Sequence, residues 1–126
     1  VGSLRYEIVT VGLRTGSVRS RVQGSTEHFM PTVLRDGTIA YSPPDDPGLA
    51  LLSPDRTAAV SVAPLGAGSD FVVAESPDAH WLLVRHLDAV THNDSFAAIT
   101  RDASRRAVFS DPSMPVEAVD FWRTER

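Results

Sequence analysis

Ser76-Pro77-Asp78-Ala79, followed directly by His80-Trp81-Leu82-Leu83-Val84, is the stretch that decides the fold. Proline sets φ near the value that the second position of a type I turn requires, and aspartate favours turns through its own backbone bonds. The apolar run after it is short and bounded by turn chemistry, as in a strand covered on both faces. The same grammar extends outward. Ser53-Pro54-Asp55-Arg56 predicts a second type I turn. Arg35-Asp36-Gly37 predicts a type I′ hairpin turn, because Asp-Gly accepts positive φ. Arg14-Thr15-Gly16 and Arg101-Asp102-Ala103-Ser104 are further turn sequences. Asp36, Asp55, Asp78 and Asp102 recur about every 19 to 24 residues, the length of a hairpin plus its connection.

Between the turns the pattern is that of strands. Leu4, Tyr6 and Ile8 alternate with Arg5 and Glu7, and Val18 and Val22 with Arg19, Arg21 and Gln23. Ile39 and Tyr41 share a face, as do Ala58, Val60 and Val62. This period of two marks half-buried strands. Phe71 to Ala74, Trp81 to Val84 and Phe96 to Ile99 are continuously apolar, and Ala107 with Phe109 completes another hairpin. Pro43 to Gly48 and Pro64 to Gly68 read as loops. Val116 to Arg126 is open between two periods: Val116, Val119 and Trp122 fit a helical stripe, whereas Val119 and Phe121 fit one strand face. Strand is the preferred reading there. The expectation is an all-β chain of consecutive antiparallel hairpins, with about ten or eleven strands and a single domain over 1–126.

Short hairpins with Ser-Pro-Asp at the turn resemble TolB-like β-propeller repeats, relatives of the WD-repeat propellers. Ser76-Pro77-Asp78-Ala79 before His80 to Val84 and Arg35-Asp36-Gly37 before Thr38 to Tyr41 look like inner hairpins. Tyr6 to Val11 leading to Thr15-Gly16 looks like an outer one. Glycine is missing after Asp55, Asp78 and Asp102. The resemblance implies about two and a half to three blades, since a blade takes roughly 40 to 45 residues and closure needs at least about four. Such a segment would belong to a longer chain or close by homo-oligomerisation. By analogy it would be a noncatalytic binding or scaffold module, offering loops to a protein or small-molecule ligand. The alternative by analogy is the propeller portion of a larger hydrolase or lyase. Outside this family, a meander of this length suits an up-and-down barrel, with an apolar ligand inside, or a sandwich.

Composition narrows the chemistry. The 126 residues carry 42% hydrophobic and 22% charged side chains, enough for a packed core. There is no cysteine, which excludes thiolate nucleophiles, disulfides and cysteine-ligated metals. There is no lysine either; all 12 basic residues are arginine. Schiff bases and lysine-dependent phosphate loops are therefore excluded. Arginine with abundant alanine resembles the usage of a GC-rich bacterial genome. A net charge of −4 argues against nucleic acid, which wants a concentrated basic face. Arg101, Arg105 and Arg106 come nearest to one, and read as a solvated hairpin edge. No run of about 18 apolar residues is present to span a membrane. The first residue, Val1, is not methionine, so the expectation is a processed N-terminus, periplasmic or secreted, or a segment of a longer chain.

The densest polar cluster is His80, His86, Asp88, His92, Asn93 and Asp94. On a strand, His80 and His86 share a face, and Asp88 to Asp94 form the following loop. Ligand binding is assigned to His86, Asp88, His92, Asn93 and Asp94 at one rim of the sheet. Within that set His86, His92 and Asp94 are the candidates for a metal, since imidazole and carboxylate are the ligands left without cysteine. No metal motif such as His-Glu-x-x-His occurs, so no metal or other cofactor is assigned. Asn93-Asp94-Ser95 matches a glycosylation sequon, and Asp45-Asp46 between prolines reads as an exposed turn. Trp81 and Trp122 read as core residues before sugar platforms. No Gly-x-Ser-x-Gly elbow exists; Gly24-Ser25-Thr26-Glu27-His28 only resembles one. Gly66-Ala67-Gly68-Ser69-Asp70-Phe71 fails the dinucleotide fingerprint at Phe71. No catalytic residue is assigned.

Overall fold

The structure, a computed structural model, describes residues 6–24, 30–43 and 47–108. The readings of Leu4, Ser25 to His28, Asp45-Asp46, Phe109 and 116–126 fall outside them. Ten strands, all antiparallel, form three sheets among the described residues. β1 (Tyr6–Val11) and β2 (Val18–Gly24) make a two-stranded sheet. β3 (Thr32–Val33), β4 (Ile39–Tyr41), β5 (Leu49–Leu52) and β6 (Val60–Val62) follow one another across a second. β7 (Gly68–Glu75), β8 (Leu82–Asp88), β9 (Asp94–Ile99) and β10 (Arg106–Val108) make the third.

The cores follow from the period of two. In the second sheet Ala40 pairs with Leu51, and Leu49 with Val62, on one face. Those side chains meet Val72, Leu82, Val84, Ala97 and Ile99 of the third sheet in one buried cluster. Ile39, Tyr41, Ala50 and Leu52 point the other way and pack with Ile8 and the half-buried Val22 of the β1–β2 hairpin. The second sheet is thus covered on both faces, so every residue of β4 and β5 is buried. Burying one such aliphatic side chain contributes about 1.5–3 kcal/mol, so these two clusters carry most of the apolar stabilisation.

This arrangement corrects the propeller resemblance. The three sheets are separate, none closes on itself, and two pack face to face in a sandwich-like way. A closed propeller, a set of WD-repeat blades and a closed barrel are all set aside, and with them a binding or enzymatic role resting on propeller blades. The physical reason is that Ser-Pro-Asp and Asp-Gly report where a chain reverses. They carry no information on how the resulting sheets are placed, and any antiparallel meander uses them. The all-β, hairpin-by-hairpin part of the expectation stands.

The turns themselves differ in one respect from expectation. At Asp36 only Gly37 has positive φ, at 85°, so the turn is not type I′. Gly37 N–H donates to the Leu34 carbonyl, and Leu34 N–H to the Thr38 carbonyl. This is a type I turn followed by one left-handed residue. A version one residue longer recurs at Ser76 to Trp81 and at Thr100 to Arg105, with Ala79 and Ala103 in the left-handed position at φ of 62° and 57°.

Candidate functional site

In a meander, successive turns fall at alternate ends. The turns β3–β4, β5–β6, β7–β8 and β9–β10 lie at one end of the two four-stranded sheets. The β4–β5, β6–β7 and β8–β9 connections lie at the other.

The first end holds the aspartate turns, and its polar groups are spent on one another. Arg101 donates to Asp36 at 2.8 Å and to Glu75 at 3.0 Å, joining the second and third sheets. Glu75 also accepts the Arg35 N–H at 3.0 Å, and the Arg35 guanidinium donates to the Pro77 carbonyl. The Arg101 guanidinium and the Thr38 N–H hold the Asp36 carboxyl well below the usual range. Asp78 is lowered by the Ser76 hydroxyl and the His80 N–H. Asp102 is lowered to about 2 by the Ser104 N–H and the Thr100 hydroxyl. These aspartates cap their own turns. Of the arginine trio, Arg105 and Arg106 are exposed at the β10 edge, with Arg105 over the Trp81 ring at 5.8 Å and Arg106 donating to the Pro64 carbonyl, whereas Arg101 is half-buried and bridges the sheets.

The opposite end carries the unusual pair. Asp70 on β7 stands directly across from His86 on β8. Both are buried, at 2% and 7% exposure, and Nδ1 lies 2.5 Å from Oδ1. The second carboxylate oxygen accepts the Leu65 N–H at 3.1 Å, and the Asp70 carbonyl accepts the Ser42 hydroxyl. A carboxylate acceptor places the shared proton on Nδ1, and in the neutral ring Nε2 then carries the lone pair. Nε2 faces Gly66, where even a Cβ would stand only 3.4 Å away. It has no hydrogen-bond partner among the described residues. A buried imidazole oriented by a carboxylate, with its second nitrogen unpaired among the described residues, can in its neutral form accept a hydrogen bond there.

The other predicted residues divide. Asp88, His92 and Asn93 belong to the β8–β9 turn at this same end. Asp88 Oδ1 accepts the Val90 and Thr91 N–H groups, both at 2.8 Å, and these hold its carboxyl below the ordinary range. His92 is exposed and left-handed at φ 58°. Asp94 pairs with Leu87, which places it on the face of the third sheet opposite to His86. There it accepts from Arg85 at 2.6 Å. His86, His92 and Asp94 therefore do not converge, and no group of three or more His, Asp or Glu side chains among the described residues could hold a metal ion. His80 lies in the turn before β8 and shares no strand face with His86. Asp70, Ser42 and Gly66 escape a reading by motif. The signal for Asp70 was its phase: it shares a face with Val72 in an apolar strand, where a carboxylate needs a partner.

Comparison of the chain with protein-family models, with curated proteins and with solved structures finds no match.

Proposed function

We propose that this chain is a recognition domain whose site is the His86 end of the two packed sheets. Nε2 of His86 receives a hydrogen bond from a hydroxyl or amine of a small molecule or of a protein side chain. The rim around it is supplied by Gly66 and by His92 and Asn93 of the β8–β9 turn. The supporting observation is the buried imidazole, held at Nδ1 by Asp70 and without a protein partner at Nε2 among the described residues. Buried polar atoms are nearly always satisfied, so an acceptor left open beside a glycine is a place for a donor from outside. The reading involves no loop of a propeller and no metal.

Nitrogen NMR of the histidine rings tests it. The expected free state is a neutral His86 ring protonated at Nδ1, with Nε2 bare. Titration with polyhydroxylated and amine-bearing small molecules should move Nε2 saturably, and His86→Phe should abolish the accompanying thermal stabilisation. A slowly exchanging proton found on Nε2 would make the ring a satisfied structural element and end the proposal.

A further inference from the structure

We infer that the chain forms a twofold dimer by antiparallel pairing of β1 with β1 of a second copy, completing a four-stranded sheet β2-β1-β1-β2. The β1–β2 sheet has two strands, whereas the other two sheets have four each. The ribbon packs on the second sheet through Ile8 and Val22, and among the described residues each of its outer edges offers a row of unpaired backbone groups.

The two edges are not equivalent. β2 is protected. Its register against β1 shifts between Ile8 and Val9, which leaves Arg21 as an extra, bulged residue. Arg21 is also tied inward, donating to the Ser53 carbonyl at 2.8 Å and the Arg56 carbonyl at 3.1 Å. Arg19 adds a second charge on the same strand. Bulges and charges are the usual devices that keep an edge from pairing. Two β2 edges facing one another would also bring like charges together.

β1 has neither device. Its single charge, Glu7, sits near one end and accepts the Ser20 hydroxyl at 2.7 Å. Gly12 N–H donates to the Ser17 carbonyl across the hairpin. By alternation, the Val9 and Val11 backbone groups then point away from β2, outward along the open edge. Their side chains share the face of Val18, which pairs with Val11, and that face is solvent-exposed: Val9 at 40%, Val11 at 53% and Val18 at 66%. Antiparallel pairing about Val9 to Val11 sets valines beside valines, and keeps the two Glu7 side chains apart at opposite ends. A twofold axis makes this contact self-complementary, so it closes at two copies rather than growing into a fibre.

Sedimentation equilibrium over a range of concentrations, on the chain and three variants, tests this. The wild-type chain should show a monomer–dimer equilibrium. Val11→Lys should weaken it by at least about tenfold, because a charge on an edge strand opposes strand addition. Val9→Pro removes an outward N–H without touching the ladder to β2, and should do the same with an unchanged far-ultraviolet spectrum. Val108→Lys, on the exposed strand β10, should leave the equilibrium as it is. The inference is overturned if the wild-type chain stays monomeric into the millimolar range. It is equally overturned if both β1 variants dimerise like wild type, or if Val108→Lys is the change that dissolves the dimer.

Discussion

The two ends of the packed sheets use similar residues to different effect. At the aspartate-turn end, Asp36, Glu75, Arg35 and Arg101 form a chain of ion pairs, and Asp36, Asp78 and Asp102 also cap their own turns. At the other end a single carboxylate, Asp70, is buried with a single imidazole, and the ring keeps one nitrogen unspent. Apart from the buried Glu75, the members of this network are at least partly exposed, and paired charge at a surface stabilises modestly. A buried polar group with one open valence is costly to keep, and such costs are where function concentrates. The comparison teaches that the motif-rich end is architecture and the motif-poor end holds the site.

The largest effect expected from breaking this comparison is at Asp70. Asp70→Ala leaves the Leu65 N–H and the His86 Nδ1 proton buried without an acceptor. The loss should be about 3 kcal/mol by urea unfolding, the range for removing one partner of a buried pair. Arg101→Ala should cost less, about 1–2 kcal/mol, because Arg101 is partly exposed and the buried Glu75 it leaves still accepts the Arg35 N–H. Equal costs at the two ends would remove the distinction, and a larger loss at Arg101 would reverse it.

Much of the fold was legible, and for a clear reason. Turn chemistry and alternation are local, and Asp36, Asp55, Asp78 and Asp102 do sit at chain reversals. The continuous apolar runs were informative in part: Leu82, Leu83 and Val84 are all buried, as a strand covered on both faces requires, whereas in Phe71 to Ala74 only Val72 is buried and Val73 is exposed. Sheet placement is not local. Nothing in Ser76-Pro77-Asp78 distinguishes a sheet that stacks on its neighbour from one that circles an axis. The site was half legible. His86 stood out by residue type, but its partner Asp70 lies 16 residues earlier across a hairpin. Only the β7–β8 register, bulged between Val72 and Ala74, brings the two together. Asp94 was misplaced by the same logic in reverse, since one residue of offset sends a side chain to the other face.

A smaller effect sharpens the architectural half of the comparison. Ala79 and Ala103 occupy left-handed positions in turns that Gly37 fills without strain elsewhere. A Cβ in that region costs on the order of 1 kcal/mol. Ala79→Gly should therefore raise stability by at most about 0.5 kcal/mol once the entropy that glycine adds to the unfolded chain is subtracted, and Ala103→Gly by less, because the Ala103 methyl also packs against the core cluster. Gly37→Ala should act oppositely, because its Cβ would also stand 2.9 Å from the Pro54 ring. Destabilisation by Ala103→Gly would mean that the turn is held by something other than its backbone geometry.

The smallest effect is a difference in acid sensitivity between the ends. Asp36, Asp78 and Asp102 at one end, and Asp88 at the other, all have carboxyls lowered by the hydrogen bonds they accept in the fold. A carboxyl lowered on folding stabilises the native state above its unfolded value and loses that contribution as pH falls toward the folded one. For Asp102 that window runs from 3.8 down to about 2. Three such groups against one predict that the aspartate-turn end carries most of the acid slope. Asparagine keeps an oxygen to cap each turn but does not titrate, so the substitutions separate charge from geometry. Stability measured by urea unfolding should fall less steeply between those limits in an Asp36→Asn, Asp78→Asn, Asp102→Asn triple variant than in Asp88→Asn. If Asp88→Asn alone flattens the slope as much as the triple, the acid response belongs to the His86 end, and the aspartate turns are held by backbone geometry rather than by charge.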